Sequence, residues 1–339
     1  MRLAAFATAI IVYGIAVSSC NGPAPTTLPA FVPQRLTAGA TQRGDAARQS
    51  QITFTFTTVD DIKSKVNAVT GINNSSEISG EIGSGSVSDP YQGYTSASPY
   101  SQFTLLRYTG AQGTFITSLS SNATNQIVAG YVAVPPTLNG TWGSVYINGI
   151  WTLLKDRKGA KGAATLTEIL GVNGASYAVG TYATTTGNNA AILIDIPAEE
   201  FTNLKTAGAT NAAATGINSS NDIAGWETLT SGTVGFFERI GTYYTLSYPN
   251  AAVTKALALN AQDQLVGYYQ KTGGGTKHGF LLTNPTKPAG QQVWQSIDEP
   301  SAPSGTVVTG VNDNDDICGY YVDSAGVQHG FVAVPATRS

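Results

Sequence analysis

The sequence predicts an all-β protein, a β-propeller with six four-stranded blades. A motif of one strand ending in Asn and a second strand containing Gly recurs six times. No stretch after residue 51 keeps a helical period, and short Gly-rich or Ser-rich turns separate the strands. Four-stranded repeats at a period of about 40–50 residues are typical of propellers.

The repeats are defined by two anchors. The anchor glycines lie 42 to 52 residues apart, at Gly80, Gly130, Gly180, Gly225, Gly267 and Gly319. The anchor asparagines are Asn73, Asn173, Asn218, Asn260 and Asn312, while the second repeat is degenerate. We expect each Asn to form an Asx-turn at the hairpin that follows. Two positions before each Asn the residue is Gly or Ala, which would let neighbouring inner strands pack closely.

The phase of the repeats predicts how the chain ends meet. The last repeat ends at residues 331–335, in its third strand, and so lacks a fourth. At the other end, residues 51–57 form a surplus strand before the first anchor Asn. We expect this N-terminal strand to pair with the last blade, which would close the ring and remove the free edge.

The N-terminus predicts export and lipidation. Residues 1–19 contain Arg2 and an apolar run of about 14 residues, too short to span ~30 Å of hydrocarbon, so they fit a signal peptide. The sequence Val17-Ser18-Ser19-Cys20 resembles a bacterial lipobox, which implies a lipidated Cys20. Residues 20–50 form a Pro, Ala, Thr and Gly-rich tether, and residues 51–339 the propeller. We expect a monomer anchored to the bacterial envelope, on the outer membrane or the cell surface.

The composition excludes some functions. Charged residues are only 12% of the chain and the net charge is −3, which argues against nucleic-acid binding and against a charged disordered chain. With Cys20 lipidated, Cys318 is the one remaining thiol, so no internal disulfide is expected. Its strand-like surroundings predict a buried, unreactive thiol.

The repeat motif resembles a known family. The pattern G-[IV]-N, then G-Y-Y, then H-G-F is similar to the bacterial extracellular repeat family named for its His-Ala-Phe (HAF) motif. Two repeats carry it best, at residues 259–280 and 310–331. The family is largely without assigned activity, so the resemblance implies export and a repeat architecture rather than a reaction.

Aromatic residues in loops are the ligand-binding candidates. Residues 81–102 look like the longest insertion and carry Tyr91, Tyr94 and Tyr100 among Ser, Gly and Pro, a composition suited to adaptable binding surfaces. Trp142 follows Asn139-Gly140 and is a second candidate that could stack on a sugar.

The acidic turn 312–316 is the candidate metal site. Asp313, Asp315 and Asp316 would suit Ca²⁺, although the alternating acidic spacing of a calcium loop is absent and a solvated hairpin is the competing interpretation. No other cofactor is expected. His278 and His329 occupy equivalent positions in successive repeats, so they would not converge on a metal, and we expect each ring nitrogen to bond a neighbouring turn.

These observations predict a non-catalytic binding or scaffold module for glycan or protein. An alternative is a carbohydrate-active hydrolase or lyase with its site near the axis, where the inner-strand residues Lys65, Glu168 and Lys255 are the candidates. A further alternative is a purely structural envelope protein. Catalytic motifs are absent, but propeller sites are assembled from separate blades and so leave no local motif.

Overall fold

The structure is a computed structural model, and it describes most of the chain from residue 51 onward. The described residues are 51–61, 64, 66–84, 86, 89–120, 127–134, 140–154, 166–174, 176–184, 187–204 and 208–336. The predicted signal peptide, Cys20, the predicted tether and Lys65 lie outside them. Within these ranges no helix is long and apolar enough to cross a membrane.

The described residues form 24 strands and one short 3₁₀ turn at Ala289–Gln291. The all-β prediction is therefore confirmed. The strands are β1 Phe54–Val59, β2 Asn67–Ile72, β3 Ile78–Ile82, β4 Gln92–Ser96, β5 Thr104–Leu106, β6 Gly113–Leu119, β7 Ile127–Val134, β8 Gly140–Ile147, β9 Ile150–Leu154, β10 Thr167–Asn173, β11 Tyr177–Ala183, β12 Asn189–Asp195, β13 Glu200–Asn203, β14 Asn211–Ile217, β15 Ile223–Leu229, β16 Gly232–Arg239, β17 Thr242–Leu246, β18 Val253–Leu259, β19 Leu265–Gln270, β20 His278–Thr283, β21 Val293–Ile297, β22 Thr306–Val311, β23 Ile317–Val322 and β24 Gln328–Pro335.

These strands pair into antiparallel groups of four. The groups are β2 to β5, β6 to β9, β10 to β13, β14 to β17 and β18 to β21, and the last comprises β22, β23, β24 and β1. A single parallel bridge between Thr233 and Val253 links the fourth group to the fifth. In the last group β1 pairs with β24 over six residues, from Phe54–Pro335 to Val59–Gly330, so its outer strand comes from the N-terminal end of the described chain.

The first strand of each group is an inner strand: β2, β6, β10, β14, β18 and β22. Each of them contacts the next one along the chain, and β22 contacts β2. Four-stranded sheets arranged around contacting inner strands are the architecture of a β-propeller. Small residues make this contact close, because a Cβ at Gly216 would lie 2.9 Å from the Cα of Ala258 on the next inner strand.

Every inner strand carries a β-bulge at the same position. The unpaired residue lies three places before the anchor Asn or its equivalent, at Thr70, Thr117, Leu170, Thr215, Leu257 and Thr309. The bulge turns a carbonyl oxygen toward the anchor glycine of the second strand. A Cβ on Gly319 would overlap the carbonyl oxygen of Val307, and the other five anchor glycines face the equivalent carbonyl in the same way. The anchor glycine is therefore a steric requirement of the bulge.

The anchor asparagines form the predicted Asx-turns and also join the sheets. The Oδ1 of Asn312 accepts the backbone N–H groups of Asn314 and Asp316, both at 2.9 Å. Its Nδ2 donates to the carbonyl of Asn73 in the first sheet at 3.0 Å. The side chains of Asn173, Asn218 and Asn260 likewise donate to the carbonyl of the anchor Asn in the following sheet, at 3.0 to 3.1 Å.

The two histidines occupy structural positions, as the repeat pattern predicts. His329 stacks on Tyr321, and its Nδ1 lies 2.6 Å from a carboxylate oxygen of Asp60, just after β1. Burial alone would lower the pKa of His329, but Asp60 and Asp323 together raise it above its ordinary value. His278 repeats the arrangement with Tyr269 and Asp298. Cys318 is fully buried, as expected.

We predict that Gly319→Ala destabilises the protein by about 1–3 kcal/mol, because the added methyl overlaps the bulge carbonyl and forces the inner strand to move. The free energy of unfolding from urea denaturation measures this. Gly290→Ala is the matched control, since nothing lies within 4 Å of a Cβ at that position. Equal stability of the two variants would contradict the steric account of the anchor glycines.

Candidate functional site

In all six sheets, one equivalent pair of residues lies near the end at which the inner strand begins. The residue five places before each anchor Asn or its equivalent pairs directly with the residue that follows the anchor glycine. We call these twelve residues the mouth layer: Ala68–Glu81, Phe115–Tyr131, Glu168–Thr181, Ala213–Trp226, Lys255–Tyr268 and Val307–Tyr320. Members from different sheets touch, because Ala68, Tyr268, Val307 and Tyr320 share one hydrophobic cluster.

Next to the mouth layer, three of the bulge residues join neighbouring sheets through side-chain hydrogen bonds. Thr117, Thr215 and Thr309 each donate a hydroxyl hydrogen bond to a backbone carbonyl of the next sheet, at 2.7 to 2.9 Å. The space left between the inner strands near the Asn turns is about 50 Å³. The mouth layer lies at the opposite end of the inner strands.

One half of the mouth layer is cationic and aromatic. The Nζ of Lys255 lies 3.5 Å from the ring centre of Trp226, and the Nζ of Lys277 lies 5.0 Å from the ring centre of Tyr268. Such cation–π contacts contribute about 0.5–2 kcal/mol each. Burial, and then the charge of Lys277, lowers the pKa of Lys255 to about 7. Burial also lowers the pKa of Lys277.

The other half carries two carboxyl groups. Glu81 is 3% exposed, and burial raises its pKa to about 8. Glu168 is half-buried, and burial raises its pKa to about 7. Removing a carboxylate from water penalises the charged form, so both groups hold a proton at higher pH than an exposed Glu does. Titratable groups with strongly shifted pKa values are a feature of functional sites.

An aromatic stack borders the carboxyl half. The rings of Phe115 and Tyr131 are 4.7 Å apart and nearly parallel, and Tyr91 lies 5.0 Å from Phe115. All three side chains are half-buried and so present part of their surface to solvent. Tyr91 reaches this place because its carbonyl accepts the backbone N–H of Thr114, at the start of the second sheet. The charge of Glu81 contributes, after burial, to raising the pKa of Tyr91.

The other predicted aromatic candidates lie elsewhere, and the placement of Tyr94 and Trp142 in loops was wrong. Tyr94 is in strand β4 and fully buried, with its hydroxyl bonded to the carbonyl of Ala68, so it cannot meet a ligand from solvent. Trp142 is in strand β8 rather than a loop, and it packs against the buried Ala111 and Val132. Residues 81–102 are not an insertion, because they contain the third strand of the first sheet. Tyr100 is half-buried and donates to the carbonyl of Ser76.

The acidic turn uses its carboxylates within the protein. Asp313 accepts hydrogen bonds from Asn74 and from the backbone of Ala261. Asp316 is fully buried and accepts from Asn312 and Ser76, while Asp315 is the left-handed residue of the turn. In the described part of the chain, no group of three or more His, Cys, Asp or Glu is placed to hold a metal ion. Calcium binding at this turn stays a prediction.

Glu168 and Lys255 occupy equivalent inner-strand positions in the mouth layer, while Lys65 lies outside the described residues. The sequence interpretation missed the partners that surround them: Glu81, Phe115, Tyr131, Trp226, Tyr268 and Lys277. Four of these could have been found from the repeats alone. Glu81, Tyr131, Trp226 and Tyr268 each follow an anchor glycine directly, so a shared offset marks them.

Comparisons with known proteins support the fold. No family model matches the chain, and no curated protein matches it. A protein of unknown function from Dyadobacter fermentans is 10% identical, with 82% of this chain and 96% of that chain covered and a TM-score of 0.56. AofleA from Arthrobotrys oligospora is 10% identical, with 85% and 88% covered and a TM-score of 0.50. Likeness at such low identity concerns the fold alone.

More distant structures are similar over a smaller part or at a lower score. The six-bladed β-propeller lectin of Aleuria aurantia is 11% identical over 79% of this chain and 94% of that chain, with a TM-score of 0.47. The chain spans only 40% of a prolyl endopeptidase and 60% of TolB from Acinetobacter baumannii, each with a TM-score of 0.45.

We predict that Glu81→Gln stabilises the protein increasingly as pH rises. The folded chain keeps a proton on Glu81 between its ordinary pKa of 4.5 and about 8, whereas the unfolded chain has released it. The wild type therefore loses stability across this window, by at most about 1.4 kcal/mol per pH unit, and the variant does not. Urea denaturation at pH 5 and pH 8 measures the difference, with the exposed Glu200→Gln as control. Parallel pH profiles for wild type and Glu81→Gln would contradict the prediction.

Proposed function

We propose that the six sheets form a closed six-bladed β-propeller that acts as a non-catalytic glycan-binding module. Ring closure is supported by the pairing of β1 with β24 and by the Asn312 to Asn73 hydrogen bond, which join the last sheet to both ends of the repeat series. The ligand site in this proposal is the mouth layer with Tyr91 and Lys277 at its border.

The observation that carries the glycan proposal is the half-buried stack of Tyr91, Phe115 and Tyr131 beside polar groups. An aromatic ring presents a negative face, which attracts the C–H groups of a sugar ring. Recognition sites combine such apolar surface with a few polar groups that fix orientation. Glu168 and Lys255 supply donors and acceptors for hydroxyl groups in the same layer.

We further propose that the module is a lipoprotein of the bacterial envelope, held by a lipidated Cys20 and a tether of about thirty residues. Two or more acyl chains give stable anchoring, and a coil of this length spans roughly 30 Å. Cells expressing the wild type should incorporate an alkyne-palmitate label into the protein and retain it in the membrane fraction, whereas Cys20→Ser should lose both. Membrane retention of Cys20→Ser with unchanged labelling would contradict the assignment.

The glycan proposal predicts binding that depends on the aromatic stack. The full chain would be screened by thermal shift against soluble glycans, since a ligand at a hundredfold excess over its Kd stabilises the native state by about 2.7 kcal/mol. Tyr91→Ala and Tyr131→Ala should weaken binding at least tenfold, measured by calorimetry. Tyr146→Ala is the matched control, because Tyr146 pairs with Trp151 outside the mouth layer. A flat screen, or equal binding by all variants, would contradict the proposal.

One observation favours the alternative of a carbohydrate-active hydrolase or lyase. Glu168 and Lys255 both have a pKa of about 7, close to the value that suits a general acid or base at neutral pH. Turnover of a bound glycan that disappears in Glu168→Gln, while binding persists, would establish this alternative in place of the non-catalytic role.

A further inference from the structure

We propose that Lys255 and Lys277 bind the carboxylate of an acidic sugar, so that the glycan recognised at the mouth layer contains uronic or sialic acid. This inference rests on the proposed glycan-binding function and adds the chemical class of the ligand. It is carried by the positions of the two lysines over the neighbouring rings of Trp226 and Tyr268.

Tyr268 relates the two lysines, because it pairs with Lys255 across the strands and its ring lies under Lys277. Lys255 is the direct cross-strand partner of Tyr268, so the two side chains leave the same face of the sheet. The Nζ of Lys277 lies over the same ring, while that of Lys255 lies over Trp226. The lysines are half-buried, and each retains access to solvent.

The backbone of the sixth sheet holds Lys277 in this place. Its carbonyl accepts the N–H of Thr306, the first residue of β22, at 3.0 Å. Gly305, the residue before Thr306, has a φ of 130°, and a Cβ on Gly305 would lie 3.0 Å from the Lys277 carbonyl oxygen. The close approach therefore requires glycine at position 305. The backbone of Lys277 is held at the junction of the fifth and sixth sheets.

Two cations in a partly buried aromatic setting favour a bound anion. The positive charge of Lys277 acts on Lys255, and this repulsion adds to the cost of burying the Lys255 ammonium group. A carboxylate bound by both lysines would offset the repulsion and accept charge-assisted hydrogen bonds, which are roughly twice as strong as neutral ones.

The remaining mouth residues favour an acidic sugar over a polyanion. A sugar acid combines one carboxylate per ring with C–H faces, and the aromatic stack offers a surface for those faces. A nucleic acid or polyphosphate would bring many negative charges toward a chain of net charge −3. A ligand that places one carboxylate at the lysines and one sugar ring on the aromatic stack contacts both halves of the mouth layer.

The test is calorimetry on the full chain with acidic and neutral forms of the same sugars. The probes are a galacturonic acid trimer, a hyaluronan tetrasaccharide and sialyllactose, beside the methyl esters of the first two and lactose. We expect at least one acidic form to bind ten times more tightly than its neutral counterpart, with affinity that falls as NaCl rises from 50 to 500 mM.

Lys255→Met and Lys277→Met should remove this preference, so that the acidic and the neutral form of the same sugar bind with equal affinity. Methionine keeps most of the aliphatic stem and removes a buried charge, so both variants should fold, which a melting curve checks. Lys271→Met is the matched control, an exposed lysine in the loop before Lys277. It should bind like the wild type.

The outcomes separate this inference from the function on which it rests. Equal binding of acidic and neutral sugars, lost in Tyr91→Ala but unchanged in both lysine variants, would overturn the acidic-sugar inference and leave glycan binding standing. Absence of binding to every sugar, acidic or neutral, would overturn both. Tighter binding of a peptide rich in glutamate, lost in the lysine variants, would assign the lysines to a protein partner and overturn the inference.

Discussion

The structure depends on how six inner strands approach one another closely without leaving buried backbone groups unpaired. The solution is the same in each sheet. A bulge displaces one residue, and the anchor glycine makes room for the carbonyl that the bulge turns inward. Where the bulge residue is threonine, its hydroxyl can bond the next sheet. The anchor Asn satisfies its own turn and, in four of the described repeats, donates to the next sheet as well.

All six sheets share this framework, whereas the residues of the mouth layer differ from sheet to sheet. The bulges and turns occupy the Asn end of the inner strands, whereas the paired positions at the other end carry Ala, Val, Phe, Glu and Lys on the inner strands. Glu81 shows that the layer is not selected for stability alone, because a buried carboxyl is costly and glutamine would be cheaper. Chemical groups that reduce stability and lie together on a rigid scaffold are typical of a site that recognises something.

The repeats allowed much of the fold to be predicted. The Asn and Gly anchors located the hairpins, the alternating pattern located strands such as Val253–Leu259 and His278–Thr283, and the repeat phase predicted the partner of β1. The bulges could not be predicted, because a single displaced residue such as Leu170 or Thr215 leaves no change in hydrophobic pattern. The anchor glycines were visible, but their steric reason appears only when the opposing carbonyl is in place.

The site was less accessible to sequence reasoning. Tyr94 lies among Ser and Gly residues, a composition that suggests a loop. In the structure it belongs to the short strand β4 and is a buried core residue. Glu168 and Lys255 were found from their places on inner strands. Glu81, Trp226 and Lys277 join them only through cross-strand and cross-sheet contacts between residues far apart in the chain. The amino-acid sequence alone does not show whether a given carboxyl group is buried or exposed.

A crystal structure of the full chain soaked with an acidic oligosaccharide tests the central claim most directly, because it shows where a ligand lies. The account predicts a sugar carboxylate within hydrogen-bond distance, about 2.7–3.2 Å, of the Nζ atoms of Lys255 and Lys277, with a ring on the face of Tyr91, Phe115 or Tyr131. Ordered sugar bound elsewhere on the surface, with the mouth layer holding only water, would contradict it.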